Sequence, residues 1–237
     1  MLDPKGRVVM VSGANRGIGR ALVETLHARG YAVSAGARDA PSLEATFAHL
    51  TGDRLLCAHY QAGDRRTNND WVAATLGRFG RIDALVNNAG ASNTFSIEEG
   101  EEADLDALWI INVKGPLFLT RACLPHLKAS GSGRVVNVVS LSGKRVRNEN
   151  IAYNMTKHAM MALTHGTRRI GWEHGVRATA LCPSFVATDL TAGVTKVARE
   201  EMIEPGDLAE LAATAIALPN TAAMAEMLVN CRLEDTL

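Results

Sequence analysis

The chain has no charge of one sign to spare. Its 25 Lys and Arg residues balance 25 Asp and Glu over 237 residues, so no global field draws it to phosphate backbones or anionic bilayers. Neither nucleic acid nor membrane is an expected partner. Cysteine is scarce and scattered: Cys57, Cys123, Cys182 and Cys231 form no Cys-x-x-Cys pair, which removes the spacing of zinc sites and dithiol redox motifs and leaves buried, reduced thiols as the reading. The histidines show no His-x-x-x-His or His-Glu-x-x-His spacing, so no bound metal is expected.

Long apolar runs are lacking too. Val8 to Val11 is an apolar stretch of four residues, where a signal peptide needs roughly 7 to 15. No run approaches the ~20 consecutive apolar residues that span a bilayer, and the expected location is the cytoplasm. The sequence contains no Pro- or Ser-rich linker, no internal repeat and no low-complexity block. With 47% hydrophobic and 21% charged residues it is no disordered chain. One domain over 1–237 is expected.

What is present is an alternation of short β-branched runs and longer segments with helical spacing. Val8 to Val11 reads as a strand. Ala21, Leu22 and Leu26 mark the helix after it, Tyr31 to Ala37 a strand, Pro41 to Leu50 a helix, Arg54 to Tyr60 a strand and Trp71 to Phe79 a helix. A strand from Ala84, a helix over about 102–130, a strand from Val135, a helix from Ala152 to His174, a strand from Val176 to Leu181, a helix from Asp207 to Leu218 and a strand at Met227 to Asn230 follow. This order predicts an α/β fold: one doubly wound, Rossmann-type parallel sheet of about seven strands, helices on both faces, and ligands beyond the carboxyl ends of the strands. Ser184 to Pro205 has little apolar periodicity and reads either as a flap over the site or as an ordinary helical connection.

Gly13-Ala-Asn-Arg-Gly17-Ile-Gly19 follows the first strand and opens the first helix. There, glycine N–H groups and a helix N-terminus can approach a pyrophosphate, so a dinucleotide is the natural ligand. No Lys-Ser or Lys-Thr follows the second glycine, which excludes a P-loop. Tyr153 and Lys157 stand four residues apart, on one face of a helix. Ser140 ends a strand 13 residues before that tyrosine. No serine lies in a Gly-x-Ser-x-Gly elbow, so hydrolase chemistry is unsupported.

With Ser12-Gly13 through Gly19, Asn87-Asn-Ala-Gly90, Asn112, Ser140 and Tyr153-x-x-x-Lys157 in order, the chain resembles the short-chain dehydrogenase/reductase family from about Arg7 to Asp189. The resemblance implies strand order 3-2-1-4-5-6-7 and hydride transfer between a nicotinamide and a ketone or secondary alcohol. Tyr153 would be the general acid/base, its phenolate stabilised by Lys157. Ser140 would bond the substrate oxygen, with Ser142 shaping the pocket. Asn112 would hold a relay water behind Lys157. Ser12, Gly13, Asn15, Arg16, Gly17, Ile18 and Gly19 would surround the cofactor with Asn88, Ala89, Gly90, Tyr153, Lys157, Pro183, Val186 and Thr188. Relatives place Asp or Asn and then an apolar residue near the adenine; Gln61-Ala62 stands there. They commonly carry Pro-Gly where this chain has Pro183-Ser184.

The second strand ends in Ala37-Arg38, where an NAD-binding relative would carry an acidic residue for the ribose hydroxyl. Arg38 and Arg16 could clamp a 2′-phosphate, so NADP is expected ahead of NAD, with Asp39 facing solvent or capping the next helix. Lys144, Arg145 and Arg147 border the expected pocket and suggest either an anionic substrate or a solvated basic surface. The resemblance further implies a homodimer or homotetramer through the helices at 102–130 and 152–174. The competing reading is a catalytically silent dinucleotide-sensing or scaffold protein of the same fold. Intact Ser140, Tyr153 and Lys157 argue against it. Sugar-nucleotide epimerisation is disfavoured, because the ~50 residues after Asp189 leave little room for a substrate domain.

Overall fold

The computed structural model describes residues 1–50 and 52–233; the expected domain span of 1–237 thus includes positions that lie outside the described residues. Seven parallel strands form one sheet in the order β3-β2-β1-β4-β5-β6-β7, the expected order. Every residue of β1 (Val8–Ser12), β2 (Ala32–Ala37), β4 (Ala84–Asn87), β5 (Arg134–Val138) and β6 (Arg177–Pro183) is buried. A parallel sheet requires this, since crossover helices cover both of its faces. The edge strands β3 (Leu55–His59) and β7 (Glu226–Val229) are partly exposed.

Alternation along β1 assigns the faces. Val9 and Val11 meet Leu22 and Leu26 of α1 (Gly17–Ala28), Leu43 of α2 (Ala40–Thr46) and Leu208 and Ile216 of α7 (Pro205–Ala217). Met10, between them, meets Trp71 of α3 (Arg65–Phe79) and Leu119 and Leu127 of α5 (Gly115–Ala129). The helix α6 (Ile151–Gly171) packs Met160 and Met161 against Ala180 and Cys182 of β6. One set of buried amides and hydroxyls is linked across this core. Asn87 Nδ2 donates to Thr120 Oγ1 at 2.9 Å and to Asn137 Oδ1 at 2.8 Å, and Asn137 Nδ2 donates to Thr164 Oγ1 at 2.8 Å. This chain ties β4 and β5 to α5 and α6, where an unpaired amide would cost about 1–3 kcal/mol.

Three helices differ from their sequence reading. α3 starts at Arg65, six residues before Trp71; its first turn is polar and invisible to apolar periodicity, but Asp64 caps it by accepting from Arg66 N at 2.9 Å. α2 stops at Thr46, short of Leu50, and Phe47 turns inward to the core. The expected helix over 102–130 is two helices, α4 (Glu102–Trp109) and α5, joined by a π-helical turn at Ile110–Lys114. Pro116 has no N–H to close an α-helical bond to the Asn112 carbonyl, and the turn widens, with Gly115 N donating to Ile110 O. By length and composition the run 102–129 could cross a membrane. Part of its apolar content faces the sheet, where Leu119, Cys123 and Leu127 are wholly buried.

Candidate active site

The carboxyl ends of the central strands deliver their turns to one cleft of about 1730 Å³. Its floor is made by two turns laced together. Ser12 Oγ accepts the N–H groups of Asn88 at 3.0 Å and Ala89 at 3.1 Å, while Asn88 Nδ2 donates to the carbonyls of Ser12 at 3.0 Å and Gly13 at 3.1 Å. The turns are too close for side chains: a Cβ on Gly13 would stand 2.8 Å from Ala89 Cα, and one on Gly19 would stand 2.1 Å from the Gly13 carbonyl oxygen. Gly13 and Gly17 also take φ of +66° and +53°, a region that disfavours side chains. The cradle therefore presents bare backbone at the N-terminus of α1.

Of the residues expected around a dinucleotide, Gly13, Asn15, Arg16, Gly17, Ile18, Arg38, Asn88, Ala89, Gly90, Tyr153, Lys157, Pro183, Val186 and Thr188 line this cleft. Ser12 and Gly19 do not; they sit behind its wall and hold the turn in shape. Gln61 and Ala62 line it as well. Ser184 has a use for its hydroxyl: it accepts the Cys231 N–H at 2.9 Å, while Ser184 N donates to Val229 O at 2.8 Å. Asp39 caps α2 by accepting from Ser42 N at 3.1 Å. Arg16 is paired with Asp189 at 3.0 Å.

Ser140, Tyr153 and Lys157 meet at the same cleft. Ser140 Oγ accepts the Ser142 N–H at 3.1 Å, which fixes the serine turn. Gly143 lies so near α6 that a Cβ there would stand 2.7 Å from the Lys157 carbonyl oxygen. The N-terminus of α6 is set by Asn150, whose Oδ1 accepts Tyr153 N at 3.2 Å and whose Nδ2 bonds Ser92 Oγ and Asn93 O. Sequence reasoning missed Asn150. The available signal was an Asn at the N-cap of a helix with strong apolar periodicity.

Burial pushes the Tyr153 phenol up to about 12, against which the Ser140 hydrogen bond pulls down. Burial also lowers the Lys157 ammonium to about 8, slightly opposed by Cys182. The Lys157 ammonium lies 5.4 Å from the Tyr153 ring centroid and donates to the Val138 carbonyl at 3.1 Å. Asn112 stands one layer behind. Its amide exchanges two 2.9 Å bonds with the backbone of Ala91 and reaches Thr156 Oγ1 at 3.1 Å, joining the turn after β4 to α6.

The segment after β6 is no ordinary helical connection. It contains short 3-10 turns at Asp189–Thr191 and Arg199–Glu201, and a bridge pairs Val186 with Ile203. Phe185, Leu190 and Val194 bring it to the cleft wall.

Residues 7–198 match the model of the short chain dehydrogenase family. An agropine synthesis reductase of Rhizobium rhizogenes is 43% identical over 229 residues, covering 96% of this chain and 53% of that protein. The chain thus spans about half the length of this relative. A 3-ketoacyl-(acyl-carrier-protein) reductase of Brucella melitensis, solved with NADH, superposes with a TM-score of 0.88 at 26% identity over 96% of this chain and 98% of that one. An alcohol dehydrogenase of the archaeon Thermococcus sibiricus, solved with 5-hydroxy-NADP, gives 0.86 at 26% identity over 94% and 95%.

Proposed function

The chain belongs to the short chain dehydrogenase family of oxidoreductases, and from that premise we propose that it is an NADP(H)-dependent enzyme interconverting a ketone and a secondary alcohol. The observation that carries the reading is the convergence of Ser140, Tyr153 and Lys157 on the cleft that the glycine turn opens into. The cradle suits a dinucleotide: added Cβ atoms would fill it, and Asn15 Oδ1 is buried there with no hydrogen-bond partner among the described residues.

A bound nicotinamide supplies the hydride donor or acceptor. Tyr153 gives its phenolic proton to the carbonyl oxygen in reduction and takes it back in oxidation, and Ser140 hydrogen-bonds the same oxygen. Lys157 replaces the proton on Tyr153. Asn112 holds the relay water behind Lys157; its side-chain amide being engaged with Ala91 and Thr156, that contact falls to its backbone. Agropine synthesis reductase and the ketoacyl reductase are both named for reduction, which favours carbonyl reduction as the working direction. The reading also takes the chain as a single cytoplasmic catalytic domain that assembles as a homodimer or homotetramer, with 184–205 as its substrate flap.

NADP is favoured over NAD by Arg38 at the end of β2 and by Asp39 being engaged as a helix cap. Two experiments test the reading. Tyr153→Phe deletes one hydroxyl and should lower turnover by about 10²- to 10⁴-fold while cofactor binding persists. Wild-type turnover in a folded variant would overturn the mechanism. Comparison of NADPH and NADH, in wild type and Arg38→Ala, tests the preference: equal efficiencies unchanged by the substitution would remove it.

A further inference from the structure

Asn150 divides its side-chain amide between two elements. Its Oδ1 accepts the Tyr153 N–H at 3.2 Å and so caps α6, while its Nδ2 donates to Ser92 Oγ at 3.1 Å and to the Asn93 carbonyl in the loop that follows β4. The backbone of Asn150 is fixed without help from that side chain. Asn148 Oδ1 accepts the Asn150 N–H at 3.1 Å, and the Asn150 carbonyl accepts Asn154 N at 3.1 Å and Asn154 Nδ2 at 2.6 Å.

The loop it reaches is itself held. Asn93 Nδ2 donates to the Asp104 carbonyl on α4 at 3.1 Å, and the Asn112 amide joins Ala91 to Thr156. Two asparagine side chains thus tie residues 91–93 to α6, one at Tyr153 and the other three residues further on. They differ in where they grip. Asn112 holds α6 by a threonine hydroxyl, whereas Asn150 bonds the backbone of Tyr153 itself, and Ser92, Asn150 and Tyr153 all line the cleft. A proton donor must stand within about 2.6–3.2 Å of the oxygen it serves, and a displacement of ~1 Å can cost about 10²-fold in rate.

We propose that Asn150 is a positioning residue for the reductase reaction: by tethering the start of α6 to Ser92 and Asn93, its amide nitrogen sets where the Tyr153 hydroxyl stands in the cleft. This rests on the reductase reading above and adds a residue to it. The two ends of the amide have separable duties. The oxygen stabilises the helix start, as any good N-cap does, and the nitrogen bears on turnover. A serine hydroxyl takes over the cap and is too short to span to Ser92 and Asn93 as well.

The test compares N150S, which keeps a cap and loses the amide donor, with N150A, which loses both. Urea midpoints and NADP⁺ titration report the fold, hydrogen exchange over 91–95 reports the tether, and NADPH oxidation with diacetyl, ethyl acetoacetate and nitrobenzaldehyde reports turnover. N150S should keep the wild-type urea midpoint and an NADP⁺ Kd within about twofold, exchange roughly threefold or more faster over 91–95, and lose roughly 10- to 100-fold in kcat at nearly constant KM. N150A should show the same loss of kcat together with a lower midpoint. Wild-type kcat in N150S, or a loss confined to N150A, would overturn the proposal by leaving Asn150 as a helix cap alone. A raised KM at constant kcat would overturn it too, by making Asn150 a substrate contact. The reductase reading fails differently: if the wild type oxidises NADPH with no probe while exchange over 91–95 still quickens in N150S, that reading falls, the role in turnover falls with it, and the tether stands as a structural contact.

Discussion

Arg16 in the glycine turn and Asp189 in the segment after β6 are joined by a 3.0 Å ion pair across 173 residues of sequence. The same segment touches the turn a second time, because Thr188 packs so closely on Gly17 that a Cβ there would lie 3.0 Å from its Cγ2. The guanidinium proposed to bind a 2′-phosphate is therefore already engaged with a carboxylate, and the phosphate would have to replace it.

Asp189→Asn should accordingly tighten NADP binding and leave NAD unchanged. The two side chains are 75% and 67% exposed, so water screens the pair and the gain is set by about 0.2–1 kcal/mol, or roughly 1.5- to 5-fold in Kd. Fluorescence titration with both cofactors measures it. Equal shifts for NAD and NADP would count against a competition for Arg16.

Lys157→Met should stabilise the unliganded protein near neutral pH. The native amine titrates at about 8 rather than 10.5, so between those values the native chain holds fewer protons than the unfolded one. The stability linked to the neutral amine is full above 10.5 and is lost as pH falls through 8. Below that, a charge is held in a buried site, and its removal should gain roughly 1–3 kcal/mol. Urea titrations from about pH 6.5 to 10 should find the advantage over wild type shrinking as pH rises.

Glu226→Gln should destabilise the edge of the sheet by about 1 kcal/mol. Glu226 accepts from Lys144 at 2.7 Å and His165 at 2.9 Å, and the Lys144 hydrogen bond, opposed by burial and aided by His165, holds its carboxyl below 4.5. With the folded value depressed, the contribution is present above 4.5 and is lost as pH falls through the folded value. Denaturation midpoints of the two proteins should converge on acidification. A constant gap would show that packing, and not ionisation, sets the difference.

Light scattering at micromolar concentration should give the mass of a dimer or tetramer. A monomeric mass would remove the proposed assembly through the helices at 102–129 and 151–171.

What the sequence made legible was local. The strand, glycine turn and helix at 8–28 sit in one continuous stretch, and apolar runs bounded by polar turns are what a sheet covered on both faces demands. The candidate catalytic residues were readable because Ser140 follows a strand, two residues beyond its end, and Tyr153 and Lys157 share one helical face. What stayed hidden depends on distant partners or on backbone alone. Arg16 meets Asp189 and Lys144 meets Glu226 through the fold, with no local signal in either sequence segment. The polar first turn of α3 has no apolar period to reveal it, and the height of the Tyr153 pKa depends on desolvation, which spacing cannot report.

The widened turn at 110–114 is also a matter of helical phase. One surplus residue there offsets α4 from α5 by about 100° around the helix axis, so the two halves of one helical run face different neighbours: α4 packs against α6, and α5 against α3 and the sheet. Removing a single residue from 110–114 would restore one unbroken α-helical phase. Either the stripe on α4 would then rotate away from the helix that bears Tyr153, or α5 would lose its seat on the sheet. A deletion of one residue there is thus expected to dismantle the cleft wall from behind.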